Sequence, residues 1–269
     1  MTAVGSHETV GPLVREWRGR RRLTQLELAL DAGVSARHLS FVETGHSKPG
    51  REMLLAVAER LQIPFRERNQ LLLAAGHAPA FPERPLADPE LAPVRDAVER
   101  ILAAHEPYPA VAFDRAWNLV STNRPMAELA ATVEIDPRLL EPPVNLLRTG
   151  LHPQGFAPLI VNLAEWRDHF LRRLAQQIAI SGDEDLRSLS DEIAAYPVPE
   201  GDAGVATEGG SGEILGPVRV RAPTGGEWSF FGMFAGFDTP FEVTTSELAI
   251  ELLFPADRAT AEAFGKGAP

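Results

Sequence analysis

The sequence predicts two fold classes in one chain, an all-α head and an α+β body, and three observations predict them. Residues 12–75 read as five short helices separated by capping residues; residues 76–93 are rich in proline; and beyond them two strand-like stretches, several helices and three further strand-like stretches follow in that order. The length of 269 residues agrees, because single domains usually run to about 100–150 residues. The expected division is a head over 10–78, a linker over 79–93 and a body over 94–264.

Composition narrows the class. A hydrophobic share of 44% with 23% charged residues describes an ordinary globular chain. No apolar run approaches the roughly 18 residues of a membrane span. The start, "MTAVGSHETVGPLV", lacks the basic-then-apolar order of a secretory signal, and without cysteine neither disulfides nor thiol chemistry is available, so a cytoplasmic bacterial protein is expected. The net charge of -11 argues against nucleic acid only if it is spread evenly. It is not: residues 1–78 carry 11 Lys and Arg against 8 Asp and Glu, and the rest carry 15 against 29. A basic head on an acidic body suggests one part for nucleic acid and another for something else.

In the head, Pro12 is expected to open the first helix, which runs through Leu13, Trp17 and "RGRRR". Thr24 followed by Glu27 forms a capping box for the second helix, and Gly33 should end it by taking a positive φ. Val34 is expected to be buried in the turn, Ser35 caps the third helix, and Gly45 ends it. Met53, Leu54, Val57 and Leu61 fall at helical spacing on a fourth helix, and Pro64 opens a fifth. With Leu28, Ala29, Val34, Leu39 and Val42 turned inward, the second and third helices make a helix-turn-helix whose second member can enter the DNA major groove.

The stretch "LTQLELALDAGVSARHLSFVETGHSKPGREMLLAVAERL" resembles the five-helix, lambda-repressor-like DNA-binding domain of the XRE family. What the resemblance implies is specific by position. Thr24 and Gln25 stand at the start of the second helix, where Gln25 would touch a phosphate and brace a recognition side chain; Ser35 would add a backbone contact. Arg37 is the base reader, since a guanidinium can pair with guanine O6 and N7. His38 and Phe41 are secondary readers. Phe41 stands where many relatives carry a polar side chain, and is expected to meet a thymine methyl or pack on a sugar edge. Ser47, Lys48 and Arg51 would hold phosphates on the other side of the groove. The resemblance also pairs Glu43 with Arg18 as architecture. Arg37 and His38 keep a second reading as solvated surface, and the run Arg20, Arg21, Arg22 stays open between phosphate contact and surface.

The five prolines of "GHAPAFPERPLADPELAP" make a linker of limited flexibility. The helix "VRDAVERILAAHE" places Val94, Val98, Ile101 and Leu102 on one face, which joins the domains or serves a dimer contact. "PAVAFDRAWNLVSTN" predicts two strands around a turn at 114–116. Helices are expected near 125–133, around "PPVNLLRTGLHP", in one long run through "FAPLIVNLAEWRDHFLRRLAQQIAISG", and in "DEDLRSLSDEIAAYP", whose acidic first turn suits the helix dipole. The glycines of "EGGSGE" read as a flexible connection. Strands follow in "GPVRVRAP", "GEWSFFGMFAGFD" and "SELAIELLFPAD", then a helix at "ATAEAF". The expected product is an antiparallel sheet covered on one face.

That order, with "AVAFDRAWNLVSTNR", "NLLRTGLHPQGFAPLIVNLAEWRDHFLRRLAQQ" and "ELAIELLFPADRATAEAF", is similar to the MmyB-like ligand-binding domain found behind XRE-type heads. The resemblance implies a PAS-like fold that takes a small molecule, in some relatives a fatty acid, and passes its occupancy to the head. The residues themselves offer Trp117, Phe156, Ile160, Trp166, Phe170, Phe231 and Phe234 as pocket lining, with Leu159, Phe230, Met233 and Phe237 beside them. Asn118, Arg148, His152 and Arg167 are the polar anchors. Most such aromatics are core in any sheet, and His152 has no second ligand at metal spacing.

The leading reading is a homodimeric transcription regulator, a repressor, that binds a double-stranded operator and responds to a small apolar, fatty-acid-like effector, with no cofactor and no catalytic residues. Two others stay open: an enzyme tethered to a DNA-binding head, for which no nucleophile motif or metal cluster appears, and a docking module without a ligand.

Overall fold

The computed structural model describes residues 9–198, 216–223, 225–238 and 240–265. The "EGGSGE" connection at 208–213 lies outside the described residues. Two compact units result: one takes in the chain up to Arg84 with 179–182 and 240–243, the other the remainder.

In the first unit the chain forms α1 (Val10–Arg20), α2 (Gln25–Asp31), α3 (Ala36–Glu43), α4 (Arg51–Arg60) and α5 (Phe65–Ala74). Helix α1 opens two residues before Pro12, which its first turn accepts because no intrahelical N–H is needed there. Each helix closes on one device: a residue of positive φ follows the C-cap, and the next amide donates back a turn to an orphan carbonyl. At the end of α2, Gly33 has φ +66 and the Val34 N–H reaches the Ala29 carbonyl at 2.9 Å. Arg22 and Gln62 serve the same purpose after α1 and α4, at φ 56 and 50, although neither is glycine. Val34 is half-buried, since this tight exit leaves its side chain at the rim of the core.

Leu28, Leu39, Leu54, Leu61, Leu71 and Leu72 fill the interior around Trp17, each at most 1% exposed. Helices α1 and α3 cross where Gly11 stands. A Cβ there would lie 2.4 Å from the Val42 carbonyl oxygen, so only glycine allows the approach. The stretch expected as linker begins as part of this unit. Asn69 of α5 accepts from the Ala80 and Phe81 amides and donates to the Phe81 carbonyl, and the Phe81 ring stacks on Phe65 at 4.0 Å.

In the second unit a 3-10 turn at Pro89–Leu91 leads into α6 (Ala92–Ala104). Then come β1 (Ala110–Phe113), β2 (Leu119–Thr122), α7 (Arg124–Ala130), α8 (Leu146–Leu151), α9 (Leu163–Ser181), α10 (Glu184–Ala194), β3 (Val218–Arg221) and β4 (Glu227–Gly236). The short α11 (Val243–Ser246), which the sequence pattern does not announce, precedes β5 (Ala249–Pro255) and α12 (Arg258–Gly265). The strands form one antiparallel sheet in the order β2-β1-β5-β4-β3, the α+β architecture expected.

Both faces of that sheet are covered, not one. Phe113, Phe230 and Leu253 point to one side, where α8, α9 and α10 contribute Leu147, Leu151, Phe170, Leu174, Leu186, Leu189 and Ile193. Ala110, Ala112, Ile250 and Leu252 point to the other, under Val98 and Leu102 of α6. The apolar stripe of α6 is thus occupied by its own sheet, with Ile101 left 37% exposed. Helix α9 begins later than its apolar run suggests. Residues 160–162 instead lie along β3, the Val161 amide donating to the Arg219 carbonyl at 2.7 Å and Asn162 accepting from the Arg219 amide at 2.9 Å. An unpaired strand edge captured the segment.

Candidate functional site

The head presents α3 with two unlike sides. Leu39, Val42 and Glu43 are buried, while Ser35, Arg37, His38 and Phe41 are exposed. Ser35 accepts from the His38 amide at 3.0 Å and so caps the helix. The Arg37 guanidinium lies 5.3 Å from the centre of the Phe41 ring, and His46 tilts against that ring at 6.2 Å. Phe41 is 42% exposed, an apolar surface on the helix that would enter the groove. Lys48 is exposed, its ammonium beside the Gly76 turn, while half-buried Arg51 donates to the Ala78 carbonyl. Ser47 is half-buried, its amide donating to the Phe41 carbonyl at 3.1 Å.

Behind α3 lies a charged bracket. Glu43, its side chain fully buried, accepts from Arg18 at 2.7 and 2.8 Å and from Gln25 at 2.8 Å, with Arg15 at 3.6 Å. Burial pushes the Glu43 carboxyl upward, but the hydrogen bonds from Arg18 and Gln25 and the charges of Arg18 and Arg15 outweigh it and hold it below its usual value. The expected Arg18–Glu43 pair is therefore present. Gln25 is turned to this bracket. Thr24 and Glu27 close the capping box, with the Thr24 amide and hydroxyl each 2.7 Å from a Glu27 carboxylate oxygen. Of the run at 20–22, Arg20 pairs with Glu16 at 2.5 Å and Arg21 donates to the Leu61 carbonyl at 2.9 Å, both over the Trp17 ring. These two are engaged within the head, whereas Arg22 is exposed.

In the second unit the residues proposed as pocket lining separate by strand register. Trp117, Ile160, Phe170, Phe230 and Phe234 gather on the α9 side with half-buried Trp166. Trp117 stacks on Phe113 at 4.7 Å and meets Phe170 and Phe234 edge-on, while its indole N–H donates to Gln177 at 2.8 Å. Phe231 is on the opposite face, stacked on Phe254 at 5.4 Å, and Met233 shares that face. Successive strand residues alternate sides, so Phe231 cannot join Phe230 and Phe234. Phe156 lies at the start of the 3-10 turn 157–159, outside that cluster.

The four expected anchors are engaged elsewhere. Asn118 donates to Asp114; Arg148 forms a forked pair with Glu192 at 2.8–3.0 Å; His152 packs edge-on against Tyr196 and accepts from the Gln154 amide; Arg167 donates to the Tyr196 carbonyl. Two polar groups on the α9 side were not foreseen: Arg173, whose guanidinium lies 3.5 Å from the centre of the Phe234 ring, and Glu251, buried in β5. Their signals were legible. Arg173 follows Phe170 at helical spacing, and Glu251 interrupts the apolar run "AIELLF".

The profile described as MmyB-like transcription regulator ligand binding domain matches residues 94–266, and one described as Helix-turn-helix matches 14–68. The chain belongs to the MmyB-like transcription regulators. Over 99 residues the regulator is 32% identical to an uncharacterized HTH-type transcriptional regulator of Bacillus subtilis (strain 168), RghRB. That match takes in 36% of the regulator and 63% of RghRB, under two thirds of the relative's length. The regulator thus joins a helix-turn-helix head to a ligand-binding domain, and among its described residues no helix is long and apolar enough to cross a membrane.

Proposed function

We infer that the chain is a homodimeric, cytoplasmic repressor, not an enzyme, whose hold on a DNA operator is changed by a small apolar effector in residues 94–264. The observation that carries the DNA half is the capped, two-sided α3, with Arg37 exposed beside Phe41 and the helix fixed from behind by Glu43. Arg37 reads a guanine, Phe41 and His38 touch neighbouring bases, and Thr24, Gln25, Ser35, Ser47, Lys48 and Arg51 contact the backbone. Dimerisation is supported by the way such heads bind paired half-sites about 34 Å apart. Repression is the simplest consequence of occupancy, because a protein seated in the groove needs no further element to obstruct transcription. The effector half rests on the aromatic cluster of Trp117, Trp166, Phe170 and Phe234.

Selection of bound DNA from a random pool, with and without a lipid extract, tests both halves. Arg37→Ala should lose about 1–3 kcal/mol of discrimination at one base position. Lys48→Ala should weaken binding to all sequences alike. Equal loss of preference in both variants would remove the division of labour between base and backbone contacts.

A further inference from the structure

Glu251 stands in the middle of β5, opposite Phe234 of β4 and Val111 of β1, and shares the α9 face of the sheet with Phe113 and Leu253. It is 9% exposed, and its Oε1 is sealed from solvent with no hydrogen-bond partner. The carboxylate leans over Gly232, where an added Cβ would lie 2.9 Å from Oε1, so a glycine at that register leaves it room. Facing the same region from α9 is Arg173. Its guanidinium lies 3.5 Å from the centre of the Phe234 ring and 5.6 Å from that of the Trp117 ring, and its Nε is also buried and unpartnered. The two charges act on each other, yet they are not joined as an ion pair. Buried polar atoms nearly always find partners, and two opposite orphans beside one aromatic cluster call for an explanation.

We propose that Arg173 and Glu251 receive the head group of the effector, and that this head group is neutral and both accepts and donates hydrogen bonds, as a primary amide does. This rests on the reading that the domain takes a small apolar effector. A guanidinium only donates and an ionised carboxylate only accepts, so a group spanning them must accept from Arg173 and donate to Glu251. An amide carbonyl and its NH2 meet both requirements. A carboxylate head meets the first and sets its charge against Glu251. Burial pushes the Glu251 carboxyl up to about 7, against the pull of Arg173, and above that pH the side chain is an acceptor. The rings of Trp117, Phe170 and Phe234 provide the apolar surface for the rest of the molecule, and the Phe234 face holds the guanidinium in place.

Three probes of one chain length, decanamide, decanoate and decane, titrated into the full-length protein at about pH 8, test this, read as tryptophan fluorescence and as a shift in melting temperature. Decanamide should bind about tenfold more tightly than decanoate, a difference of about 1.4 kcal/mol. Glu251→Gln should reverse that order, because the new amide can donate to a carboxylate. Arg173→Met, which keeps a long apolar stem, should bring decanamide down to the level of decane. An equal or stronger response to decanoate in the native protein overturns the proposal, as does an unchanged order in Glu251→Gln or an unchanged decanamide affinity in Arg173→Met. Binding of none of the three removes the apolar-effector reading itself and the proposal with it. Binding of all three alike leaves that reading standing and sinks only the head group.

Discussion

Glu43 joins three helices through one carboxylate, and its chemistry sets how the head responds to acid. Its folded ionisation lies below the ordinary value of 4.5, so the stability it contributes is present above that pH and is lost as pH falls through the lower folded value. Removing Arg18 inverts the sign. Arg18→Ala leaves a buried carboxylate with a weaker set of partners, which should cost about 3 kcal/mol at neutral pH, a penalty that shrinks as acid neutralises Glu43. Urea unfolding followed by circular dichroism across that pH range checks both statements; a penalty independent of pH would mean that Glu43 is not the group involved. At the same scale, the caps and stops are legible in the sequence, because Thr24, Glu27, Ser35, Gly33 and Gly45 each act on backbone groups a few residues away. The destination of Gln25 was not, since its bond to Glu43 crosses 18 positions of chain.

Among elements, α1 and α3 cross so closely at Gly11 that the position has no room for a Cβ. Gly11→Ala should therefore force α1 away from the Val42 and Glu43 carbonyls and destabilise the head by about 1–3 kcal/mol, as overpacking does. Differential unfolding of the two proteins measures it, and a neutral outcome would show that α1 shifts without resistance. The sheet marks where sequence reading stops at this scale. The strands of "GEWSFFGMFAGFD" were visible as β-favouring residues, but the side each ring takes depends on a register that only pairing with β5 defines. For that reason Phe231 looked equivalent to Phe234. Likewise the run 156–162 has the composition of a helix, and its capture by the edge of β3 involves a partner nearly sixty residues on.

For the whole molecule, the division into a basic head and an acidic body is plain from charge and proline content. The proline-rich stretch is more structured than its composition suggests: Asn69 and Phe65 hold residues 80–81 against α5, and Arg95 donates to the Leu86 and Asp88 carbonyls at the start of the body. A head fragment ending at Arg84 should outlast one ending at Ala78 by about 2 kcal/mol, the worth of burying and stacking one phenylalanine. Equal melting temperatures would show that the Phe81 stack adds nothing to the head.

The bracket at Glu43 and its neighbours also bears on ionic strength. The head owes its positive balance to eleven basic side chains, yet Arg15 and Arg18 are matched by Glu43, Arg20 by Glu16, Arg60 by Asp31 and Arg66 by Glu83, while Arg21 and Arg68 are given to backbone carbonyls. Few cations near α3 remain to displace counterions from a duplex. A head of this kind releases on the order of three ions on binding, giving a logarithmic dependence of affinity on salt with a slope of about -3 per head, shallow for a DNA-binding protein. On the proposed reading, its grip would then be decided less by the ionic conditions of the cell than by the base pairs proposed to meet Arg37 and Phe41.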